Sequence, residues 1–443
     1  MKVIFRHPLF IGSFFFLMQL GLILLICPEK TWLQSWLSLA THWDSEWYEA
    51  IATYGYINID GPEHTGLLNA NVVFFPGYPY LVRLCILFFG VKAKIALLVV
   101  SQTAALLFWW LFFHIVRHAQ WFKQLAAAVL VMSFPTSWFF YTAYAESFFM
   151  LTCCLMLWLA TERRWFASGF TGVLLTATRI IGLPALMAPL ISTMYMQSRA
   201  YFQNKKQRVS VDDSFPQAAG PRNMNCQQTL HTLLKEWINP GFILIVGSFG
   251  CLGFLIYCAI QFDSWHLYFD MERIGWKGTA DPMFLFKLPT WVPPPFGYSL
   301  DWAPPLPNNH APFFVFKFFR MAAYSFSEML VPLFLWYCIF YSIRMCKKST
   351  ELDLTSLTWY FAAILIFLFN CFSLSTRHYE SMSRCLYPVW VLLIISDITH
   401  PQNVCLFRLS PTKLCCALVP ILLILVGFWL QLLDRFFLGW WVA

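Results

Sequence analysis

Apolar runs long enough to cross about 30 Å of hydrocarbon at about 1.5 Å per residue recur along this chain, separated by short charged punctuation. A bilayer leaves no water for unpaired backbone groups, and no segment alternates like a barrel strand, so the runs predict helices. They fall at residues 8–27, 95–116, 124–136, 147–160, 166–180, 183–197, 238–260, 314–343, 356–374, 385–398 and 414–432. Pro135, Pro184, Pro189, Pro332 and Pro388 shorten or interrupt several of them, so the expectation is about eleven crossings. Residues 72–90 carry two prolines and a glycine at their start and Arg83 within, and are expected to lie along the interface or re-enter.

Composition agrees with the pattern. Hydrophobic residues make up 59% of the 443 and charged residues only 12%, well below the quarter or so of a soluble domain, so the chain is read as an all-α polytopic membrane protein. Lys2, Arg6 and His7 before the first run resemble the start of a signal peptide, but no small-residue cleavage site leads into a soluble domain. An uncleaved first span is expected. Basic residues at Arg117/Lys123, Arg163/Arg164, Lys205–Arg208, Arg344/Lys347/Lys348 and Arg408/Lys413 then mark the cytoplasmic side. The opposite face receives 28–94, 137–146, 261–313 and 375–384. The whole chain, 1–443, is expected to be one domain, with 28–94 a first external loop containing interfacial helices. Residues 198–236 form a cytoplasmic polar linker, and 261–313 an external loop covering an acceptor groove. Its portion 277–313, rich in Pro and Trp, is expected not to be helical. The net charge of +8 is spread over many short loops, which speaks for anionic lipid headgroups and against nucleic acid. Most of the 14 cysteines lie inside apolar runs without ligand spacing, so neither a disulfide framework nor structural zinc is expected.

Ionisable residues on the external side are dense for so apolar a chain. In the first loop Thr41 is placed as an N-cap, Asp44 as a first-turn acid and Gly55 as the stop of a short helix. Asp44, Trp47, Tyr48 and Ile51 then share a face, putting a carboxylate kept ionised by the helix N-terminus beside aromatic surfaces. A general base acting on a sugar hydroxyl needs that arrangement, although a capping acid within an aromatic interfacial belt would look the same. His266, Asp270 and Arg273 recur at helical spacing after the 238–260 run, and Arg377 and Arg384 flank hydroxyls and a histidine between two later runs. Guanidinium groups suit phosphate, and headgroup contact is the plainer alternative. Arg179 and Glu146 stand at span ends, where a charge must be paired or face a cavity. They are candidates for function, or for pairing with each other.

Taken in order, His42-Trp43-Asp44 with Ile51-Ala52 and Gly55-Tyr56, Phe74-Phe75-Pro76-Gly77-Tyr78-Pro79, Tyr144-Ala145-Glu146-Ser147, Arg179 with Gly182, Phe262-Asp263 through Gly275-Trp276, and Ser383-Arg384 with Tyr387-Pro388 resemble the PIG-V-like family. This is the family of the second mannosyltransferase of glycosylphosphatidylinositol assembly. The resemblance implies a GT-C-like fold and transfer of mannose from a polyprenyl- or dolichyl-phosphate carrier to a glycan or glycolipid acceptor. Transfer would occur outside the cytoplasm, with inversion. It also implies Asp44 as the essential acid and His42 as its orienter. Arg384, Arg377 and Arg179 would then face the carrier phosphate; beside the resemblance, the residues' own placement offers Trp43, Trp47, Tyr48, Glu146, His266, Asp270 and Arg273 as the substrate lining. Trp47-Tyr48 and the stretch Asp60–Gly66 depart from the eukaryotic pattern, and no Asn-x-Ser/Thr sequon occurs. A prokaryotic inner membrane is therefore expected, or the endoplasmic reticulum for a eukaryotic chain. No metal or other cofactor is expected, since Glu46 does not share the face of Asp44. The rival readings are a flippase or transporter of lipid-linked sugars, for which no inverted repeat is evident, and a scaffold.

Overall fold

Each apolar run identified above forms a helix in its described part. The computed structural model describes residues 7–56, 70–212, 226–275, 279–292, 326–347, 353–374, 381–400 and 406–437, and contains no strand among them. The helices are α1 (Pro8–Ile26), α2 (Trp32–Ser38), α3 (Asp44–Tyr54), α4 (Gly77–Phe89), α5 (Ala93–Ile115), α6 (Trp121–Met132), α7 (Glu146–Thr161) and α8 (Trp165–Thr178). They continue with α9 (Gly182–Asp212), α10 (Cys226–Phe262), α11 (Leu267–Gly275), α12 (Leu288–Trp291), α13 (Phe326–Lys347), α14 (Leu354–Leu374), α15 (Met382–Thr399) and α16 (Pro411–Phe437).

Six helical stretches among the described residues are long and apolar enough to cross a membrane: Pro8–Ile26, Ala93–His118, Glu236–Phe262, Leu354–Leu374, Met382–Thr399 and Pro411–Phe437. Gly77–Phe89, Trp121–Met132, Glu146–Thr161 and Met329–Arg344 are apolar but shorter. The chain is thus a multi-pass, all-α membrane protein. α15 is 83% buried and sits at the centre, whereas α1, α10 and α16 are about a third buried or less. Their exposed side chains, such as Phe14, Ile256 and Leu423, are apolar, as a lipid-facing surface requires. α5 packs on α1, α4 and α7; α8 lies between α7 and α10; α14 lies between α9 and α15.

Four local expectations are refined. Thr41 is not the N-cap of α3, because its hydroxyl donates back to the Ser38 carbonyl at 2.8 Å, and Trp43 occupies the cap position instead. Within 277–313, Phe284–Phe286 is a 3-10 turn and Leu288–Trp291 a single helical turn; Pro289 is tolerated there because the first turn has no N–H bond to lose. Helix also enters the polar stretch 198–236 from both sides, α9 running on to Asp212 and α10 starting at Cys226. Residues 72–90 hold α4, whose 13 residues reach only about 20 Å. Its Tyr78 and Val82 are buried, while Leu87, Phe88 and Phe89 are exposed.

α4 begins at Gly77 because no side chain fits there. A Cβ would lie 2.8 Å from the Ala177 carbonyl oxygen and 2.7 Å from Thr178 Oγ1, at the end of α8. On the other side of α8, a Cβ at Gly250 would lie 2.0 Å from the Val173 carbonyl oxygen. The C-terminal end of α8 is therefore held between two close helix approaches, which matters because the next residue is Arg179. Gly77→Ala is expected to cost about 1–3 kcal/mol by overpacking, read as a lower Tm in detergent. An unchanged Tm would show that α4 does not seat on α8.

Candidate active site

Four charged side chains from distant parts of the sequence meet where helix ends converge. Asp44 is the first residue of α3, Glu146 the first of α7, Arg179 the residue after α8, and Arg384 the third of α15. Because a short connection at 162–164 folds α8 back along α7, the start of α7 and the end of α8 lie at the same level. Arg384 Nη1 donates to Asp44 Oδ2 at 2.7 Å, and its Nε lies 3.2 Å from Glu146 Oε1, close enough for an ion pair but misaligned for a hydrogen bond. Arg179 Nη1 donates to the same Glu146 Oε1 at 2.8 Å. The chain of charges thus reads Asp44, Arg384, Glu146, Arg179, with signs alternating.

Three members are deeply buried: Asp44 is 8% exposed, Glu146 5% and Arg384 8%. Helix dipoles favour the two carboxylates at N-termini and Arg179 at a C-terminus, but oppose Arg384 at the N-terminus of α15. Arg384 therefore depends on its two carboxylates. The rings of Phe139 and Tyr144 add cation–π contacts, their centroids 5.5 and 5.6 Å from its guanidinium carbon. Glu146 Oε2 and Ser147 Oγ are buried without a hydrogen-bond partner among the described residues, so the cluster retains unused acceptor capacity.

The loop before Asp44 is fixed from the same direction. Tyr144 Oη donates to the His42 carbonyl at 3.0 Å, Ala143 N donates to the Leu39 carbonyl at 3.0 Å, and Ser45 Oγ donates to the His42 carbonyl at 2.7 Å. Burial pushes the Tyr144 hydroxyl well above its ordinary range, with Asp44 reinforcing the shift, so it stays a donor. Trp43 is held at φ 56, ψ −121, a conformation that costs a non-glycine residue about 1–3 kcal/mol. The turn sends Asp44 inward and His42 outward.

The other predicted residues fall into three groups. Trp47 and Tyr48 share the buried face of α3 with Asp44, but their rings are already covered: Trp47 stacks on Phe74 at 5.7 Å, and Tyr48 meets Phe74 and Tyr78 edge-on at 5.2 and 5.0 Å. They form the wall behind the acid instead of offering it free aromatic faces. Burial pushes the Tyr48 hydroxyl up as well, keeping it neutral. His42 does not orient Asp44, a task taken by Arg384; the imidazole lies edge-on to Phe436 at 5.1 Å. Its pKa is lowered by burial, with Lys94 adding to the shift and Glu46 opposing it. His266 Nδ1 lies 2.5 Å from Asp270 Oδ2, with Arg273 Nη2 3.4 Å from the other oxygen, but His266 and Arg273 are exposed, Asp270 is half-buried, and the ladder does not join the four-residue cluster. Tyr268 of that helix turns inward against Phe75, and Leu267 and Met271 also pack on the core. Arg377 lies outside the described residues. Glu49 points away from Asp44, 4.0 Å from Lys94, and among the described residues no three His, Cys, Asp or Glu gather to hold a metal.

Sequence reasoning overlooked Phe139 as a partner of Arg384 and the role of Tyr144 in pinning the Asp44 loop. Phe139 lies in a run without charge, and Tyr144, though next to the Glu146 motif, has as its partner a backbone carbonyl a hundred residues away.

Removing the central cation should expose the cluster's energetics. Arg384→Met leaves two buried carboxylates without it and is expected to cost about 3–5 kcal/mol, whereas Asp44→Asn, which leaves the Arg384–Glu146 contact, costs much less. Equal Tm values for the two variants would disprove the arrangement. His42 adds a pH dependence. Its depressed folded pKa means the unfolded chain binds the proton more readily, so its contribution is complete above the ordinary value of 6.5 and lost as pH falls through the folded value. The Tm of the wild type should fall over that acidic window, and His42→Gln should flatten the fall. No family model, no curated protein and no solved structure matches this chain.

Proposed function

We propose that this chain is a glycosyltransferase of the membrane that moves a hexose, mannose in the first instance, from a polyprenyl- or dolichyl-phosphate carrier to a hydroxyl of a glycan or glycolipid. The observation that carries the reading is the buried alternation of Asp44, Arg384, Glu146 and Arg179 at one end of the bundle. Each of the four belongs to a different motif of the PIG-V-like resemblance. A purely structural ion cluster would not require that.

The chemistry is one inverting displacement. The acceptor oxygen attacks the anomeric carbon as the bond from that carbon to the carrier phosphate breaks; the acceptor proton passes to Asp44, and the bonding electrons leave with the phosphate. Formal charge then does useful work. The four groups sum to zero, and once Asp44 is protonated they sum to +1, with Arg384 relieved of one carboxylate. That charge appears as the leaving phosphate becomes more negative, and it comes from groups already positioned in a site of low dielectric. Glu146 holds both guanidinium groups through one oxygen, and thereby sets the spacing at which they meet phosphate. The active site would face the exterior or periplasm of a prokaryotic inner membrane.

The test supplies purified protein in nanodiscs with radiolabelled polyprenyl-phosphate mannose and a membrane lipid extract. Labelled product is expected with the wild type, and a loss of at least about a hundredfold with Asp44→Asn at unchanged gel-filtration behaviour. Absence of product with the wild type would refute the proposal.

A further inference from the structure

A second, open feature lies on the other side of the Trp43 turn. The end of α1, the helix α2, the loop before α3 and the end of α16 enclose a cavity of about 300 Å³, at the small end of the range for ligand sites. Glu29, Gln34, Ser38, Thr41 and His42 supply its polar groups, and apolar atoms, those of Leu37 and Phe437 among them, make up most of its wall. Ser38 Oγ already donates to the Ser35 carbonyl at 2.8 Å and lies 3.3 Å from Cys27 Sγ, but the other polar groups have unspent hydrogen-bonding capacity. Gln34 Oε1 accepts from Thr31 at 2.9 Å, leaving its amide nitrogen without a partner among the described residues. Thr41 donates at 2.8 Å to the Ser38 carbonyl, which leaves its oxygen able to accept. The Glu29 carboxylate has no ion pair, and the His42 ring nitrogens make no hydrogen bond, among the described residues.

No lysine or arginine stands in the wall, while a carboxylate does. An anion such as a phosphate is therefore disfavoured there, whereas mixed donors and acceptors beside one aromatic ring match a ring bearing hydroxyl groups. The charges thus divide: guanidinium groups on the inner side of Trp43, none on the outer side. The two sides are joined through the backbone of one turn, in which two peptide units separate the Cα atoms of His42 and Asp44 by at most about 7.6 Å.

We propose that this cavity binds the acceptor as a neutral, hydroxyl-rich headgroup, with Gln34, Thr41 and Glu29 holding its hydroxyls and Leu37 and Phe437 its apolar face. The proposal rests on the transferase reading for its role, but not for its measurement. The headgroup enters from the side of α2 and α16, and its reacting hydroxyl passes the His42 turn to reach Asp44. The carrier phosphate comes to the arginines from the inner side.

Photoaffinity labelling separates binding from transfer. A diazirine-bearing octyl α-mannoside serves as the neutral probe and a diazirine-bearing octyl phosphate as the anionic one, each with protein in nanodiscs. The neutral probe is expected to label peptides covering 27–42 and 411–437, with competition by unlabelled octyl α-mannoside. Gln34→Trp places a large ring at the mouth from an exposed helix position, where folding should tolerate it, and is expected to lower that labelling about tenfold. Asp44→Asn should leave it intact. In the transfer assay with octyl α-mannoside as acceptor, Gln34→Trp should raise the KM for acceptor and not for donor. Preferential labelling by the anionic probe, or labelling indifferent to Gln34→Trp, would overturn the acceptor assignment. Labelling that behaves as expected with a wild type that transfers nothing would instead sink the transferase reading, and leave a binding site for neutral sugars.

Discussion

A guanidinium group buried at the wrong end of a helix dipole is the constraint on which the rest of this structure depends. Arg384 sits in the first turn of α15, the most enclosed span, where backbone N–H groups already present partial positive charge. Burial there without counter-charge would cost several kcal/mol per ion. Two carboxylates answer that charge, and each is favoured by the dipole of the helix it begins, Asp44 by that of α3 and Glu146 by that of α7. The helices α3, α7 and α15 are thereby required to end at one level, and α8 brings Arg179 to the same place as the counter-charge of Glu146.

What keeps those ends in register is the segment between α6 and α7. Residues 134–145 are wholly buried and bond in several directions: Thr136 Oγ1 donates to the Ser383 carbonyl at 2.9 Å, next to Arg384, while Tyr144 and Ala143 fix the Asp44 loop. Deeper in the bundle, Gln19 Nε2 and Trp429 Nε1 both donate to Ser137 Oγ, at 2.8 and 3.1 Å, and Trp109 Nε1 donates to Tyr141 Oη at 3.0 Å. α1, α5 and α16 are thus fastened to one irregular stretch of chain. Irregular backbone at such depth survives only where its polar groups find partners in protein, as the Tyr141 carbonyl does in accepting from Gln102 Nε2 of α5 at 2.9 Å.

Legibility in the sequence divides along physical lines. Span positions were readable because a bilayer forces long apolar runs, and the face shared by Asp44, Trp47, Tyr48 and Ile51 was readable because helical spacing fixes it; all four are buried together. The pairing of Glu146 with Arg179 was one of two readings offered by charges at span ends, and the two do pair. Less legible was anything set by tertiary packing. Trp43 instead of Thr41 caps α3 because Tyr144 and Ala143 pull the preceding carbonyls aside, and no local signal announces a partner a hundred residues away. His266, Asp270 and Arg273 have the spacing of a site, yet α11 turns Tyr268 inward and leaves His266 and Arg273 exposed and Asp270 half-buried. Spacing along one helix establishes that side chains share a face. It does not say whether that face points in or out.

The strained turn at Trp43 follows from the same division. A relaxed residue there would let α3 start with His42 and Asp44 directed more nearly together, and the acid would share its surroundings with an imidazole. At φ 56 the chain reverses instead, giving Asp44 to the arginines and His42 to the cavity beneath α2 and Phe437. The energy for holding that conformation comes from the ion pair to Arg384 on one side and the Tyr144 hydrogen bond to the His42 carbonyl on the other. In a transferase, a carboxylate between a cationic compartment and one with no lysine or arginine in its wall has a defined use. It can accept a proton from a hydroxyl on one side as negative charge builds on the other, and a single acid serves both only if the backbone turns sharply beside it.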